Sequence, residues 1–185
     1  MIKIRTLRNF DPEDINRLVG GYISTAKYIV NKTETHEQTV ITLKLITLDQ
    51  PYVKHWPSDD AGLERYKQFV QQRLSLGAYD GSRLVGIAIA ERRDWNRSLW
   101  VWEFGVAETH RRMGIGRRLM EAVTDKAREA GLRIIVCETQ NTNVPAIQFY
   151  RKVGFEIEGV DLSYYSNSDI TEREIAIFMK KKLVS

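Results

Sequence analysis

The stretch Arg111-Arg112-Met113-Gly114-Ile115-Gly116-Arg117 forms a polar turn between an apolar segment and an amphipathic one. Two glycines one residue apart let backbone approach a bulky ligand with no Cβ in the way. A helix beginning there aims its unbonded N–H groups at that ligand, and its dipole adds roughly half a positive charge. This is a cradle for an anion. Arg111, Arg112, Arg117 and Arg118 set four guanidinium groups around it, and guanidinium suits phosphate better than ammonium does. The glycine spacing alone is equally that of a turn before a surface helix. No Gly-Lys-Ser/Thr follows it, and the third glycine of a dinucleotide turn is missing.

Three further residues could carry chemistry. Glu103 stands among Leu99, Trp100, Val101, Trp102, Phe104 and Val106. A carboxylate there is costly unless partnered, and partial burial pushes its pKa up towards that of a working base. It is read either so or as a hydrogen-bonded structural Glu. Gly105 follows directly, and glycine inside a strand marks a bulge or a close backbone approach. Asn143, Ala146, Ile147 and Tyr150 share one face of a helix at the i, i+3, i+4, i+7 spacing. Tyr150 is then a cleft residue or a core tyrosine beside Phe149. Cys137, within Ile134-Ile135-Val136, reads as buried core rather than as a nucleophile. His36, His55 and His110 are scattered without metal-ligand spacing, so no metal is expected.

The elements that position these residues follow from pattern. Ile2, Ile4 and Leu7 alternate as a first strand. Asp11-Pro12 starts a helix that Gly20-Gly21 breaks. Residues 22–37 fit no period. Val40–Leu48 is β-rich, and Gln50–Ser58 reads as a loop whose Tyr52, His55 and Trp56 line a pocket or pack beneath it. Asp59 or Asp60 caps a helix to about Leu76, with Leu63, Tyr66, Val70 and Leu74 on one face and Gly77 as its stop. A hairpin turns at Asp80-Gly81, and apolar Leu84–Ala90 is a buried central strand. Leu99–Ala107 leads into the cradle. From Gly114 a helix carries Ile115, Leu119, Ala122, Val123 and Ala127 on one face, and Gly131 ends it. Leu132–Thr139 is a strand, parallel to Leu99–Ala107 if the connection is a crossover. Asn143 caps a short helix that Gly154 closes. Phe155–Leu162 and Glu174–Lys181 are the last strands, joined by a polar loop at Ser163–Thr171. The sum is a mixed α/β sheet.

The chain has 185 residues, which suits one domain over 1–185. Its net charge of +4 permits an anionic ligand without demanding nucleic acid. No apolar run is long enough for a membrane span, the N-terminus lacks a signal-like stretch, and one cysteine excludes an internal disulfide. These features point to the cytoplasm.

Arg-x-x-Gly-x-Gly after an apolar strand, followed by Asn143-Val144-Pro145-Ala146-Ile147-Gln148-Phe149-Tyr150-Arg151-Lys152-Val153-Gly154-Phe155, resembles the GNAT superfamily of acyl-CoA-dependent N-acyltransferases, over about residues 80–180. The resemblance implies a mostly antiparallel sheet with a central parallel pair splayed apart and flanking helices. It implies acetyl-CoA as cosubstrate, its pyrophosphate on Arg111 to Arg117 and its pantetheine on the amides of Phe104, Gly105 and Val106 and on Asn143 and Ala146. It implies Glu103 as base, directly or through water, and Tyr150 as the donor to the departing sulfur. Residues 138–177, with Glu138-Thr139-Gln140-Asn141-Thr142-Asn143 and Gly159-Val160-Asp161, further resemble the streptothricin acetyltransferases. That implies a small cationic amine as acceptor, a β-lysine arm, with antibiotic resistance as the outcome. Glu138 and Asp161 would hold its ammonium groups and Tyr165 would offer a cation–π face; structural pairing is the other reading of both carboxylates. No nucleic acid or membrane partner is expected, and a homodimer is permitted. Another amine (a protein N-terminus, a polyamine, an aminoglycoside) and a non-catalytic CoA-binding module are the competing functions.

Overall fold

The computed structural model describes residues 1–56, 60–172 and 174–183. In chain order the elements begin with β1 (Lys3–Thr6), α1 (Pro12–Val19), β2 (Gly21–Glu34), β3 (Thr39–His55), α2 (Asp60–Gln71) and β4 (Leu76–Asp80). There follow β5 (Arg83–Arg93), β6 (Ser98–Val106), α3 (Ile115–Glu129), β7 (Ile134–Gln140), α4 (Val144–Lys152), β8 (Glu156–Asp161), α5 (Asp169–Glu172) and β9 (Ala176–Lys182). The chain divides into two compact units: Met1–Gly21, His55–Cys137 and Lys180–Ser185 in the first, Tyr22–Lys54 and Glu138–Met179 in the second.

The first unit is a sheet covered by helices. β1 pairs antiparallel with β4, β4 with β5, and β5 with β6. β6 and β7 run parallel, from Ser98 opposite Ile134 to Val101 opposite Cys137. A parallel pair needs a crossover, and α3 supplies it. That ladder ends at Val101, although β6 continues to Val106. Val85, Ile87, Ala88, Ile89 and Ala90 of β5 are wholly buried, as expected of a central strand. Leu119, Val123 and Ala127 of α3 are fully buried too. Burial of each of the two larger side chains contributes about 1.5–3 kcal/mol. The N–H of Leu183 donates to the Arg133 carbonyl (2.8 Å) at the end of the sheet.

The second unit holds a two-stranded ribbon of β2 and β3, and β8 beside β9. Thr35 closes the ribbon: its N–H donates to the Gln38 carbonyl (2.8 Å) and its Oγ1 accepts from the Gln38 N–H (3.1 Å). Asn141 is the unit's internal fastener and only 3% exposed. Its Nδ2 donates to the Tyr28 carbonyl and its Oδ1 accepts from the Ile175 N–H, both at 2.8 Å. Its backbone bonds the same two residues, at 2.9 Å each.

Several expectations change. Residues 22–34, which fit no period, are β2; burial alternates from Tyr22 to Asn31, but Ser24 is on the buried face while Ile23 and Ile29 are exposed, so the apolar pattern does not show it. β3 runs on through Gln50–His55, which the sequence reads as loop. Pro51 is tolerated because both strands of a two-stranded ribbon are edges. Pro57, Ser58 and the Asp59 cap lie outside the described residues. α2 ends at Gln71, and Leu76 and Gly77 belong to β4. The helical pattern overran because the strand that follows is buried and equally apolar, and Arg73, at φ 62°, breaks the chain between them. The loop at Ser163–Thr171 contains the single turn α5. Among the described residues, no helix is long and apolar enough to cross a membrane.

Candidate active site

The first unit contains the anion cradle. β6 ends at Val106, a 3₁₀ turn spans Glu108–His110, and α3 starts after Gly114. Arg112 and Gly114 both take left-handed backbone, at φ 62° and 75°. A non-glycine residue held there costs energy. A Cβ on Gly114 would meet nothing within 4 Å, so the glycine is required by its φ and the space beside it is open. No side chain caps the N-terminus of α3 and no acidic residue occupies its first turn. An uncapped, acid-free helix start with open space fits the pyrophosphate of acetyl-CoA. Arg111 Nε donates to the Val106 carbonyl (3.2 Å), tying the turn to the end of the strand. Met113 is exposed, while Ile115 anchors α3 in the core.

Arg118 donates to the Ile2 carbonyl (3.1 Å) and lines a recess with Asp80, His110 and the turn residues Met113 and Ile115. It succeeds Arg117 by one residue, so on a helix the two cannot share a face. His110 contacts Thr109 Oγ1 (2.9 Å) and approaches Asp80 (3.6 Å).

Glu103 has a partner. Tyr66, on α2, donates its hydroxyl to Glu103 Oε1 at 2.5 Å. Both line a pocket of about 260 Å³ with Ile15, Asn16, Trp56 and Arg65. Burial, reinforced by the Glu103 carboxylate, pushes the Tyr66 hydroxyl pKa well up, so it stays a donor. The strand bulges just before Glu103: Glu103 faces Ile89 and Val101 faces Ala90, which leaves Trp102 as the extra residue. The bulge re-aims the residues that follow it. Trp102 stacks on Phe69 (5.8 Å) and carries the Arg65 guanidinium at 4.5 Å. The close approach at Gly105 is made by the molecule itself, since a Cβ there would lie 2.2 Å from the Leu18 carbonyl oxygen of α1.

The second unit carries the remaining candidates. Asn143 caps α4, its Oδ1 accepting from the Ala146 N–H (3.3 Å). Tyr150 is 7% exposed, its ring 5.5 Å from Phe149 and 5.4 Å from Phe155. The ring is therefore packed, as the core reading has it, on a helix whose N-cap is Asn143. Glu138 and Tyr165 come together, the Tyr165 hydroxyl donating to Glu138 Oε1. Burial pushes the Glu138 carboxyl up, against that bond. Asp169 orders the approach to Tyr165 by accepting from the N–H groups of Tyr165 (2.9 Å) and Ser166 (2.6 Å). Asp161 accepts from the Ser163 N–H (3.0 Å), a local turn that does not join it to the Glu138–Tyr165 pair.

Other polar contacts here join residues far apart in the chain, Tyr52 among them. The Tyr22 hydroxyl bonds Thr142 Oγ1 (2.6 Å). Tyr52 and Lys54 both donate to the Glu174 carboxylate (2.6 and 2.7 Å). The rings of Tyr22 and Tyr52 are 6.1 Å apart. Burial pushes Tyr52 up to about 12, reinforced by Glu174. Their positions span 22 to 174, so no local motif could have announced them.

Residues 43–155 match the Acetyltransferase (GNAT) family. The streptothricin acetyltransferase of Streptomyces lavendulae is 33% identical over 182 residues, covering 96% of this chain and 93% of that one. The crystal structure of a nourseothricin acetyltransferase matches with a TM-score of 0.72 and 29% identity over 98% of both chains. A Bacillus anthracis chain crystallised with acetyl coenzyme A matches in fold, with a TM-score of 0.75 and 23% identity over 99% of this chain and 100% of that one. The chain belongs to the GNAT acetyltransferase family and is an acetyl-CoA-dependent N-acetyltransferase. Within that family its homologues include the streptothricin acetyltransferases.

Proposed function

We propose that the acceptor is an amino group of streptothricin, on its β-lysine arm, and that acetylation confers resistance to the antibiotic. The observation that carries this reading is the 33% identity with a streptothricin acetyltransferase over nearly the whole length of both chains. The carboxylate Glu138 with Tyr165, and Asp161, suit a cationic arm: they supply ionic and cation–π contacts.

Transfer is direct, without a covalent enzyme intermediate. An alkyl ammonium has a pKa of about 10, so a proton must leave before nitrogen attacks. Glu103 takes it, directly or through water. The new C–N bond forms as the C–S bond of the thioester breaks, and the Tyr150 hydroxyl gives its proton to the departing thiolate. The Phe104–Val106 amides would hold pantetheine and polarise the thioester carbonyl. Arg111, Arg112, Met113, Gly114, Ile115, Gly116 and Arg117 would hold the pyrophosphate, and Asn143 and Ala146 would contact pantetheine. Acetyl-CoA supplies the activated acetyl group.

The test is to mix protein, acetyl-CoA and streptothricin, then follow CoA release and the mass of the antibiotic. Prompt CoA release with one acetyl group gained is expected. Acetyl-CoA binding without transfer would send the reading to another amine.

A further inference from the structure

The second unit carries a cation of its own beside the acceptor candidates. Tyr52 and Lys54 lie two residues apart on β3, so their side chains leave the same face of the strand. Both reach one carboxylate: the Tyr52 hydroxyl donates to Glu174 Oε1 (2.6 Å) and Lys54 Nζ donates to Oε2 (2.7 Å). Glu174 is placed by its neighbour Ile175, whose N–H and carbonyl both bond Asn141 (2.8 and 2.9 Å). The ion pair is not sealed off, since the side chains of Lys54 and Glu174 are 31% and 24% exposed. Glu138, on β7, accepts from the Tyr165 hydroxyl, and among the described residues no cation pairs with it. The Tyr22 ring lies 6.1 Å from that of Tyr52. Burial raises the Tyr22 hydroxyl, and the charges of Glu174 and Glu138 add to the rise. Burial likewise raises the Tyr165 hydroxyl, with Glu138 and then Glu174 adding to it. Each carboxylate is thus felt at both tyrosines, so the two act on a common space.

We infer that Lys54 is a specificity-determining residue for the acceptor: its ammonium neutralises Glu174, so that a cationic acceptor meets one net carboxylate charge, Glu138, rather than two. The inference rests on the proposal that the acceptor is a cationic amine held by Glu138 and Tyr165. An ammonium beside an ion pair feels two fields that nearly cancel, whereas beside a lone carboxylate it feels the full attraction. Lys54 also repels any second ammonium that approaches Glu174. A built-in repulsion of this kind separates amines by the number and spacing of their charges.

The test is calorimetric titration of streptothricin onto CoA-saturated protein. It compares wild type, Lys54→Met, Lys54→Arg, Glu174→Gln, the combination of Lys54→Met with Glu174→Gln, and Glu138→Gln. Methionine keeps most of the lysine stem and glutamine keeps an oxygen for Tyr52, and a thermal melt checks that each variant is folded. Lys54→Met tightens streptothricin about threefold or more, and Glu174→Gln weakens it by a similar factor. The combined variant returns towards wild type, and Lys54→Arg, which keeps the charge, stays there. Both shifts shrink as salt is added. Acetyl-CoA affinity stays put throughout. A merely structural ion pair would weaken binding from either side and would not cancel. If Glu138→Gln weakens streptothricin while Lys54→Met and Glu174→Gln shift it in the same direction or not at all, the inference is overturned and the acceptor reading stands. Equal shifts in Lys54→Met and Lys54→Arg also overturn it, since shape rather than charge would then decide. Streptothricin binding that ignores Glu138→Gln overturns the acceptor reading, and the inference falls with it.

Discussion

The two units make their contacts from different parts of the chain. The turn proposed for the cofactor in the first is built from backbone: left-handed residues at 112 and 114, an uncapped helix start and open space beside Gly114. The polar side chains of the second come from far-apart segments: Tyr22 bonds Thr142, Tyr52 bonds Glu174, and Tyr165 bonds Glu138. A backbone cradle can serve a ligand common to a whole family. Specificity for one amine needs side chains, which can change without disturbing the cradle.

Substitutions can break that contrast. The largest structural effect is expected at Asn141. Asn141→Ala strands the buried Tyr28 carbonyl and Ile175 N–H and should cost about 2–4 kcal/mol, read by denaturant unfolding. A cost below half of that would mean water replaces the side chain. Next is Tyr150→Phe, which keeps the packed ring and removes the proposed acid. Turnover should drop about 100-fold with acetyl-CoA affinity intact. Turnover at the wild-type rate would take Tyr150 out of the mechanism. The two glycines sharpen the comparison further. Gly105→Ala drives a Cβ into the Leu18 carbonyl and should cost about 1–3 kcal/mol of stability. Gly114→Ala meets no atom and pays only for its φ, about 1–2 kcal/mol, which should surface as weaker acetyl-CoA binding. Unchanged acetyl-CoA affinity in Gly114→Ala would detach this turn from the cofactor.

The smallest effect concerns pH. Burial raises the Glu138 carboxyl, so as pH falls its charge is lost earlier than that of an ordinary Glu. KM for a cationic acceptor should therefore rise on the acid side. The Tyr165 bond opposes the shift, so Tyr165→Phe should start that rise at higher pH. A KM profile identical to wild type would detach the pair from acceptor binding.

What the sequence revealed follows the same division. The turn at 111–117, the Asn143 cap and the apolar β5 are legible because each is local. The Glu103–Tyr66 dyad is not, since the two lie 37 positions apart and Tyr66 looks like one more member of an apolar helix face. The ribbon is invisible at 22–34 because a serine, Ser24, sits on its buried face and Ile23 and Ile29 on its exposed one. At Gly105 the rule was right that backbone comes close, yet the neighbour is α1. Arg118 looked like a phosphate ligand by composition, and its contact with the distant Ile2 carbonyl could not be read locally.

The central claim is that cofactor affinity resides in the turn and acceptor affinity in the side chains of the second unit. Calorimetric titration of acetyl-CoA, then of streptothricin onto CoA-saturated protein, with wild type, Gly114→Val and Glu138→Gln, tests it most directly. The account predicts that Gly114→Val weakens acetyl-CoA and spares streptothricin, while Glu138→Gln does the reverse. Loss of acetyl-CoA binding in Glu138→Gln, or its full retention in Gly114→Val, would contradict it.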